Sequence, residues 1–317
     1  MERLSKIAKE RVIINSAIRE FFNSRGYLEV ETPILVISPG SEPNLAPVKA
    51  VLKDFSGREY NASLITSPEY SMKKLLGMGF EKIFTITKVF RNCEEFGGNH
   101  NPEFSMLEWY CQGADYHACM QETEELVKSV LNVFGVRSLP VTFARKRMQD
   151  LFLEYAYIDL DDPIPTLGKG GLGRGLDDTQ SDAFYRIFLE KIESHLGKDP
   201  IFVYDYPYYQ AALAQLTSDG KYAQRFELYI NGVELCNGFT ELTDTDEQRK
   251  RFEQEIHERM NQGKQIFPID EELLRLLPLI KNPTYGNALG IDRLHMVATG
   301  CNSIEDVLLF PINKLLK

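Results

Sequence analysis

The sequence predicts an α+β fold in which helices flank an antiparallel β-sheet. Two observations predict it: neighbouring strand patterns are joined as hairpins, and apolar residues at helical spacing mark amphipathic helices around them. Sheets built from hairpins bury a face against such helices. The chain contains no internal repeat, so we expect one domain over residues 1–317, with its least regular part, 150–200, forming an insertion or lid.

Three amphipathic helices are predicted from apolar spacing and from residues that begin or end helices. The first, which Arg25-Gly26 ends, has apolar residues at helical spacing: Ile7, Ile14, Ile18, Phe21 and Phe22. A second helix is expected at Ser67-Pro68, with the serine as N-cap and the proline as first helical residue. A third covers residues 115–134 and is stopped by Gly135.

Strands are predicted where β-branched and aromatic residues cluster. Residues 83–90 (IFTITKVF) and 104–110 (FSMLEWY) form two such runs, and the polar, glycine-bearing loop between them predicts a long-looped hairpin. Another strand-rich block covers 201–240, and the chain ends with a turn and a helix around GNALGIDRL. The segment GYLEVETPIL, which contains Pro33, is expected to be extended.

Composition excludes several classes of protein. Of the 317 residues, 43% are hydrophobic and 26% charged, as in an ordinary globular protein. There are 36 Lys and Arg against 46 Asp and Glu, and a net charge of −10 argues against a protein that grips nucleic acid with its whole surface. No apolar run is long enough for a membrane span, and the start of the chain lacks the apolar core of a secretory signal. We therefore expect a cytoplasmic protein without a membrane partner.

The glycines Gly168, Gly170 and Gly173 spell G-x-G-x-x-G, the pattern of a dinucleotide site. That pattern has meaning only after an apolar strand, and here DDPIPTL precedes it. We therefore interpret the region from 161 to 200 as a surface loop or lid rather than as a nucleotide site.

The segment RFELYINGVELCNGF predicts a tight hairpin with a metal site. Asn231-Gly232 between alternating apolar runs indicates a type I′ turn, which pairs Leu228 with Leu235. Glu227 and Glu234 then lie on one face as diagonal neighbours. Two such carboxylates suit Mg²⁺, which takes a couple of carboxylates together with waters and substrate phosphates. From this segment alone the alternative, two solvent-facing glutamates on a half-exposed hairpin, is equally open.

Three segments together resemble the signature motifs of the class II aminoacyl-tRNA synthetases. They are the opening helix with GYLEVETP, the segment FRNCEEFGGNHNPEFSMLEWY, and GNALGIDRL. The segments TSPEY and GVELCNGFTEL are similar to those of lysine-specific members. The similarity spans nearly the whole chain and is weakest over 150–200. It implies an antiparallel sheet flanked by helices, an amino-acid-activating enzyme, and a homodimer built through the first motif.

The opening helix starts within a few residues of Met1, so we expect no anticodon-binding domain ahead of the catalytic core. In this respect the chain resembles the free-standing elongation factor P (R)-β-lysine ligases. That family activates (R)-β-lysine with ATP and transfers it to a lysine ε-amino group of translation elongation factor P. Gly286-Asn287-Ala288 agrees, because the alanine stands where lysyl-tRNA synthetases usually have a second glycine. The resemblance implies ATP, (R)-β-lysine or lysine, and elongation factor P as partners, and it argues against tRNA.

The resemblance also assigns residues to the ATP site. It implies that Arg91 bridges the α-phosphate and the amino-acid carboxylate, and that Arg293 binds the γ-phosphate end of a bent ATP near the adenine. Phe104 is expected to stack on the adenine. Glu227 and Glu234 become the ligands of Mg²⁺. The remaining residues implied at the ATP site are Glu94, His100, Asn101, Leu235 and Gly290.

A β-lysine carries two ammonium groups, so its pocket should be acidic. By resemblance, Glu108 and Glu241 read those groups together with Tyr110. Glu69 lies in the first turn of its helix, where the helix dipole favours a carboxylate. The substrate side of the site is completed, again by resemblance, by Ser67, Asn237 and Ala288.

The loop between the two strands of the second motif departs from the family pattern. From Arg91 to His100 it is one residue longer than usual, which leaves the adenine-side role open between Glu94 and Glu95. We choose Glu94. The pair Gly97-Gly98 is expected to let the loop absorb the extra residue, because glycine adopts conformations closed to other residues.

The substrate assignment also conflicts with strand alternation. Strict alternation from Glu234 would send Asn237 and Glu241 to the far face of the sheet. Their place in the pocket therefore requires a bulge, which we predict at Gly238. A straight strand through residue 241 would count against the pocket.

Three functions fit the sequence to different degrees. The leading one is a protein-modifying ligase that acts on elongation factor P. A second keeps the activation step but gives the amino acid to a tRNA or a small molecule, which the acidic net charge and the expected lack of a tRNA-binding domain disfavour. A third is a non-catalytic paralogue that senses an amino acid, although a sensor need not keep residues that hold phosphate and metal.

Overall fold

An eight-stranded sheet forms the centre of the molecule. The computed structural model describes residues 1–136, 140–166 and 179–316. Its strands are β1 (Leu28–Glu29), β2 (Leu35–Val36), β3 (Lys49–Lys53), β4 (Glu59–Leu64), β5 (Lys82–Phe90), β6 (Glu103–Gln112), β7 (Ala144–Arg147), β8 (Ile201–Pro207), β9 (Tyr222–Ile230), β10 (Val233–Thr240) and β11 (Thr284–Gly290). The large sheet has the order β1-β5-β6-β11-β10-β9-β8-β7, and β2, β4 and β3 form a small separate sheet. In the large sheet β1 with β5 and β7 with β8 are parallel, and the remaining neighbours are antiparallel.

Helices lie on both faces of this sheet, which confirms the predicted α+β class. They are α1 (Glu2–Ser24), α2 (Glu69–Gly77), α3 (Tyr116–Val133), α4 (Met148–Ala156), α5 (Gln180–Ile187), α6 (Thr245–Asn261), α7 (Glu271–Leu276), α8 (Ile291–Thr299) and α9 (Ile312–Leu315). The long-looped hairpin predicted from the second motif is present as β5 and β6. None of the helices in the described part of the chain is long and apolar enough to cross a membrane.

One face of the sheet is covered by α1, α3 and α8. Strand residues on this face, such as Leu107, Leu228 and Leu289, are fully buried against the helices. The five apolar residues that predicted α1 are all buried, so the helical spacing correctly identified its inner face. Asp115 caps α3 by accepting hydrogen bonds from two backbone N–H groups of the first turn. This face therefore forms the main hydrophobic core.

The opposite face is covered at its two ends. At the β7–β9 end, α4 and α5 pack on the sheet, and the rings of Phe152 and Phe184 stack 5.0 Å apart. At the β5–β6 end, α2, α6 and α7 bring Met72, Phe252 and Leu273 against the strands. The middle strands β10 and β11 lie between these two covers. The polar side chains discussed below are on this part of the face.

The region from 161 to 200 is more regular than the sequence predicts. From Thr179 onward it is helical, because the Thr179 side chain and Asp182 form a reciprocal capping box that begins α5. Phe184 and Ile187 of this helix are buried, so the segment is packed rather than a surface loop. The prediction was wrong here because the helix is short and adjoins a glycine-rich stretch. The glycines of the G-x-G-x-x-G pattern lie outside the described residues.

A bulge in β10 decides which side chains face the middle of the sheet. The hairpin at Asn231-Gly232 is confirmed. Beyond it the register shifts between Glu234 and Cys236, so that Leu228 pairs with Cys236 and not with Leu235. Leu235 and Cys236 are both 2% exposed in the main core, although they are consecutive residues. The extra residue reverses the alternation that follows it.

The bulge was therefore predicted correctly in kind and wrongly in place. We expected it at Gly238 because glycine often marks a bulge, but this glycine serves close packing instead. A Cβ on Gly238 would lie 2.6 Å from Cζ of Phe226 and 2.9 Å from Cγ of Asn287. The strand thus needs a residue without a side chain at this point of the core face.

Replacing this glycine should be costly. Gly238→Ala is expected to lower the free energy of unfolding by about 1–3 kcal/mol, because the new methyl overpacks the core. Urea unfolding would measure the loss. Gly290→Ala is a matched control, since a Cβ there has its nearest neighbour at 3.6 Å, in ordinary contact with Arg293. Equal losses for the two variants would contradict the packing role of Gly238.

Candidate active site

A row of side chains crosses the middle of the sheet on the face opposite the main core. Glu108 of β6 pairs with Ala288 of β11. Ala288 pairs with Asn237 of β10, and Asn237 pairs with Glu227 of β9. Residues paired directly across strands point to the same side. The bulge thus brings Asn237 to the face that the pocket assignment required.

Glu108 is a buried carboxylate at one end of this row and is 1% exposed. It accepts hydrogen bonds from the hydroxyls of Ser67 and Tyr110, each at 2.6 Å. Ser67 Oγ also accepts from the backbone N–H of Glu69 at 3.1 Å, and α2 begins one residue later than predicted, after Pro68. Burial, together with the negative charge of Glu69, raises the pKa of Glu108 to about 8.

Glu241 is a second buried carboxylate of the same pocket, with an exposure of 0%. Lys73 Nζ of α2 lies 2.6 Å from Oε2 of Glu241 and 2.7 Å from Oε1 of Glu69. Apart from this ion pair, neither Glu241 oxygen has a hydrogen-bond partner among the described residues. Burial raises the pKa of Glu241 to about 8, although Lys73 acts in the opposite direction. The pocket therefore combines the carboxylates of Glu69, Glu108 and Glu241 with the buried ammonium group of Lys73.

Gly286 makes room for these acids. A Cβ at this position would lie 2.3 Å from both Oε1 of Glu241 and Cε1 of Tyr110. The first residue of the Gly286-Asn287-Ala288 segment must therefore be glycine for steric reasons. Ala288 carries its methyl group on the polar row, between Glu108 and Asn237.

Arg293, in the first turn of α8, forms the other side of the site. Its guanidinium donates to the backbone carbonyl of Glu234 at 2.8 Å and lies 3.5 Å from Oε2 of the same residue. It also lies 3.1 Å from Nε2 of His100. Burial and the positive charge of Arg293 lower the pKa of His100, which favours the neutral ring that can accept this hydrogen bond.

Arg91 lies between the two sides, directly after β5. The centre of its guanidinium is 5.3 Å from the centroid of the Phe104 ring. Its Nε is buried without a hydrogen-bond partner among the described residues. Phe104 and Ala288 pack against the small apolar cluster that contains Val89 and Met106. A buried donor without a partner is unfavourable, so this arginine is suited to an anionic ligand that accepts its N–H groups.

The long loop after Arg91 turns as predicted. Gly97 and Gly98 have φ angles of 101° and 56°, in the left-handed region. Cys93, at φ 61°, adds a third left-handed residue. Glu94 is half-buried, with Oε2 4.0 Å from Nε2 of His100, whereas Glu95 is exposed. This placement favours Glu94, whose adenine-side role stays a prediction.

Both carboxylate oxygens of Glu227 accept hydrogen bonds from neighbouring side chains. Its Oε1 accepts from Arg225 at 2.6 Å, and its Oε2 accepts from the hydroxyls of Tyr206 and Tyr229 at 2.6 Å each. Glu234 is half-buried on the same face, and burial together with the negative charge of Glu227 raises its pKa. The alternative of two solvent-facing glutamates is therefore wrong for Glu227.

Three residues assigned by resemblance do not present side chains to the site. Asn101 uses both ends of its amide for the fold, because it donates to the carbonyl of Glu103 and accepts from the N–H of Ile312. The side chain of Leu235 lies in the main core, as the bulge requires. Gly290 lies at the junction of β11 and α8 and has only its backbone to offer. Each was assigned by position in a motif, which does not show where a side chain points.

Sequence reasoning missed three charged residues that the structure brings to the site. Lys73 follows Glu69 at the i,i+4 spacing of a helical ion pair, and Arg225 precedes Glu227 by two residues on the same strand face, so both had a visible signal. Glu42 belongs to an irregular segment between β2 and β3, and no local pattern points to it.

The arrangement combines two arginines that can bind phosphate with a buried acidic pocket that can bind amines. Together with the antiparallel sheet, this arrangement suits an enzyme that binds a nucleotide and an amine-bearing substrate. The family of class II tRNA synthetases (D, K and N) matches residues 1–314. The chain belongs to this family.

Within it, the chain is similar to proteins named elongation factor P (R)-β-lysine ligase. It is 40% identical over 310 residues to that of Avibacterium paragallinarum, with 95% of this chain and 94% of the relative covered. The identity is 39% over 311 residues for Pectobacterium carotovorum and 38% over 315 residues for Salmonella typhi, with 96% of this chain and 94% of each relative covered. The resemblance found in the motifs is thus confirmed along the whole chain.

The raised pKa of Glu108 predicts that this carboxyl group lowers the stability of the fold at high pH. In the folded chain this carboxyl stays protonated up to about pH 8, whereas at its usual pKa of 4.5 it ionises in the unfolded chain. The unfolded state thus binds fewer protons between these values, so Glu108 destabilises the fold increasingly as the pH rises through this range. Glu108→Gln should therefore raise the free energy of unfolding at about pH 9, and raise it less at about pH 6.

Urea unfolding at the two pH values would measure this difference. The matched control is Glu59→Gln, which removes an exposed carboxylate of β4 that pairs with Lys53 and should show no such dependence on pH. A Glu108→Gln variant that is less stable than the native chain at the higher pH would show that the buried charge does not destabilise the fold.

Proposed function

We propose that this chain is an ATP-dependent ligase that activates (R)-β-lysine as its adenylate and transfers it to a lysine side chain of translation elongation factor P. One observation carries the proposal: a pocket with the buried acids Glu108 and Glu241 occurs together with two arginines that can bind phosphate, Arg91 and Arg293, whose charges both act on Glu234. The named relatives support the identity of the amino acid and of the acceptor.

The activation step needs alignment and charge neutralisation rather than a protein nucleophile. The carboxylate of the amino acid attacks the α-phosphorus of ATP, a new O–P bond forms, and pyrophosphate leaves with the electrons of the broken P–O bond. Arg91, whose buried Nε–H has no partner among the described residues, would hold the carboxylate and the α-phosphate together. The neutral acceptor amine then attacks the carbonyl of the adenylate, a C–N bond forms, the C–O bond to AMP breaks, and the amine nitrogen loses one proton to solvent as AMP leaves.

The nucleotide would lie between Arg91 and Arg293. Phe104 offers a ring close to Arg91 on which the adenine can stack, and His100 holds the guanidinium of Arg293 in place. Glu94 lies next to His100 on the same side. These contacts would fix a bent ATP with its α-phosphate near the amino-acid carboxylate.

The residues present fit a Mg²⁺ ion shared with the phosphates. Glu234 would be the direct ligand, because it is half-buried and its pKa is raised by burial and by the neighbouring Glu227. Among the described residues, Oε1 of Glu227 has a single donor, Arg225, so this oxygen could also bind the ion or a bound water. A bound Mg²⁺ would neutralise the negative charge of the phosphates.

The acidic pocket would bind the two ammonium groups of the amino acid. Glu108 and Glu241 are buried deepest, and Tyr110 and Ser67 orient the first of them. A cation in this pocket favours the ionised form of both carboxylates. The pocket thus supports a substrate with an amino group at its far end.

Elongation factor P is proposed as the acceptor in place of tRNA, and the cytoplasm as the compartment where translation takes place. The net charge of −10 disfavours tRNA as a partner. We also propose a homodimer through the first motif. Val12 and Ile13 of α1, together with Leu28 of β1, leave apolar side chains exposed there, which supports this interface.

The proposal is tested by ATP–pyrophosphate exchange with (R)-β-lysine, with α-lysine and with amino acids that lack a second ammonium group. Exchange should be fastest with (R)-β-lysine. Arg91→Lys should lower kcat about 100-fold, because a point charge cannot bridge carboxylate and phosphate as a planar fork does. Arg58→Lys, on the exposed loop before β4, is the control and should leave exchange unchanged.

The acceptor is tested separately with purified elongation factor P and with bulk tRNA. Mass spectrometry should detect one added β-lysyl group on the factor, and no aminoacylated tRNA should form. Exchange with α-lysine followed by charging of tRNA would favour the second function considered above. Native enzyme that supports no exchange with any amino acid would favour a sensor.

Glu234 of β10 and Glu95 of the loop after Arg91 should differ in their effect on the Mg²⁺ requirement of exchange. Glu234→Gln removes the proposed direct ligand and is expected to raise the Mg²⁺ concentration for half-maximal exchange about tenfold or more. Glu95→Gln removes an exposed carboxylate of the neighbouring loop and should leave it unchanged. An unaltered Mg²⁺ titration in the Glu234→Gln enzyme would rule out this ligand.

A further inference from the structure

The segment from Ile37 to Val48 joins β2 to β3 and crosses the site between its amine-binding side and Arg91. At one end the Thr66 hydroxyl donates to the carbonyl of Pro39 at 3.3 Å. At the other end the N–H of Asn92 donates to the carbonyl of Ala46 at 2.7 Å. Thr66 precedes Ser67, and Asn92 follows Arg91. The segment is thus fastened next to both groups of binding residues.

Side chains from α6 hold the middle of this segment in place. Arg259 is 3% exposed and donates to the carbonyls of Glu42 and Leu45 at 2.7 and 2.9 Å. The Ser41 hydroxyl donates to the carboxylate of Glu255. These contacts fix the backbone on either side of residue 42. Movement of this backbone would cost the buried guanidinium of Arg259 its partners, which stabilises the observed position of the segment.

Glu42 is the acidic residue of this segment, and its carboxylate has no partner among the described residues. Among the residues that the structure describes, no hydrogen-bond donor and no ion pair engages its oxygens, and the side chain is half-buried. Burial and the charge of Glu69 raise its pKa to about 7, while Arg91 and Lys73 act in the opposite direction. Glu69 and Lys73 belong to α2, whereas Arg91 directly follows β5. The carboxylate therefore lies among them.

The position of Glu42 indicates that it would lie near the carboxylate end of the substrate. Arg91 would fix the carboxylate of the amino acid, which would place the ammonium group nearest that carboxylate between Arg91 and Glu69, the one acidic residue of α2. Glu69 has Oε1 in an ion pair with Lys73 at 2.7 Å, and its other oxygen has no partner among the described residues. An ammonium group has three N–H donors and needs further acceptors. Glu42 offers them.

We propose that Glu42 binds the amino group nearest the substrate carboxylate and selects a β-amino acid over an α-amino acid. Shifting this ammonium from the α- to the β-carbon moves it by about 1.5 Å along the chain, away from the carboxylate that Arg91 holds. The shift brings it into reach of a carboxylate fixed on the crossing segment. Glu108 and Glu241 read the distant amino group, which both isomers share. This assignment rests on the proposed function and adds a specificity residue to it.

The test compares Glu42→Gln with the native enzyme in ATP–pyrophosphate exchange. The KM for (R)-β-lysine should rise about 10- to 100-fold, as expected for the loss of a charge-assisted hydrogen bond. The KM for α-lysine should change no more than about threefold, since the α-ammonium group does not use this carboxylate. The KM for ATP should stay within about twofold, because Glu42 does not touch the nucleotide. Glu42→Asp keeps the charge and should recover part of the preference for (R)-β-lysine.

Controls separate the possible failures. Glu59→Gln removes an exposed carboxylate outside the site and should leave both KM values unchanged. A thermal melt checks that the Glu42→Gln enzyme is folded. An unchanged KM for (R)-β-lysine, or equal losses for the two isomers, would overturn the role of Glu42. Native enzyme that activates no lysine isomer would instead overturn the proposed function, and the two failures are therefore distinguishable.

Discussion

The bulge in β10 is the constraint on which the site depends. Strict alternation after Glu234 would point Asn237 into the main core. One extra residue lets Leu235 and Cys236 both enter that core, and the residues that follow change sides. The same strand then supplies the proposed metal ligand and the wall of the amino-acid pocket. A single register shift thus joins the nucleotide side of the sheet to the amine side.

The pocket beyond the bulge is electrostatically unfavourable until a cation enters it. Lys73 compensates Glu69 and Glu241, whereas Glu108 has only hydroxyl partners among the described residues. Burial therefore raises the pKa of both Glu108 and Glu241 to about 8. A ligand with two ammonium groups relieves this cost, and a neutral side chain cannot. The pocket of Glu108 and Glu241 is thus less stable than an apolar core would be, and in return it can bind a positively charged ligand.

Much of the fold and of the site could be predicted because both have short-range signals in the sequence. Helical spacing identified the buried face of α1. Asn231-Gly232 identified the hairpin, whose first pair is Ile230 with Val233. The bulge was misplaced because its position depends on which residues the core accepts, and glycine suggested the wrong one. Tyr206 reaches Glu227 from a different strand, and Glu42 reaches the site from an irregular segment, so neither contact has a local pattern. Contacts that depend on packing between distant segments had to be seen in the structure.

The two tasks of the site are carried by different structural elements. The arginines that can bind phosphate follow β5 and begin α8, whereas the acids that can bind amines belong to α2, β6 and the end of β10. The crossing segment that carries Glu42 is fastened to both groups but is held by α6, which belongs to neither. The side chain of Glu42 can therefore be changed without removing a residue proposed to bind phosphate. With the proposed role of Glu42, specificity for the position of an amino group would depend on this one segment, whereas the proposed phosphate-binding residues belong to other elements.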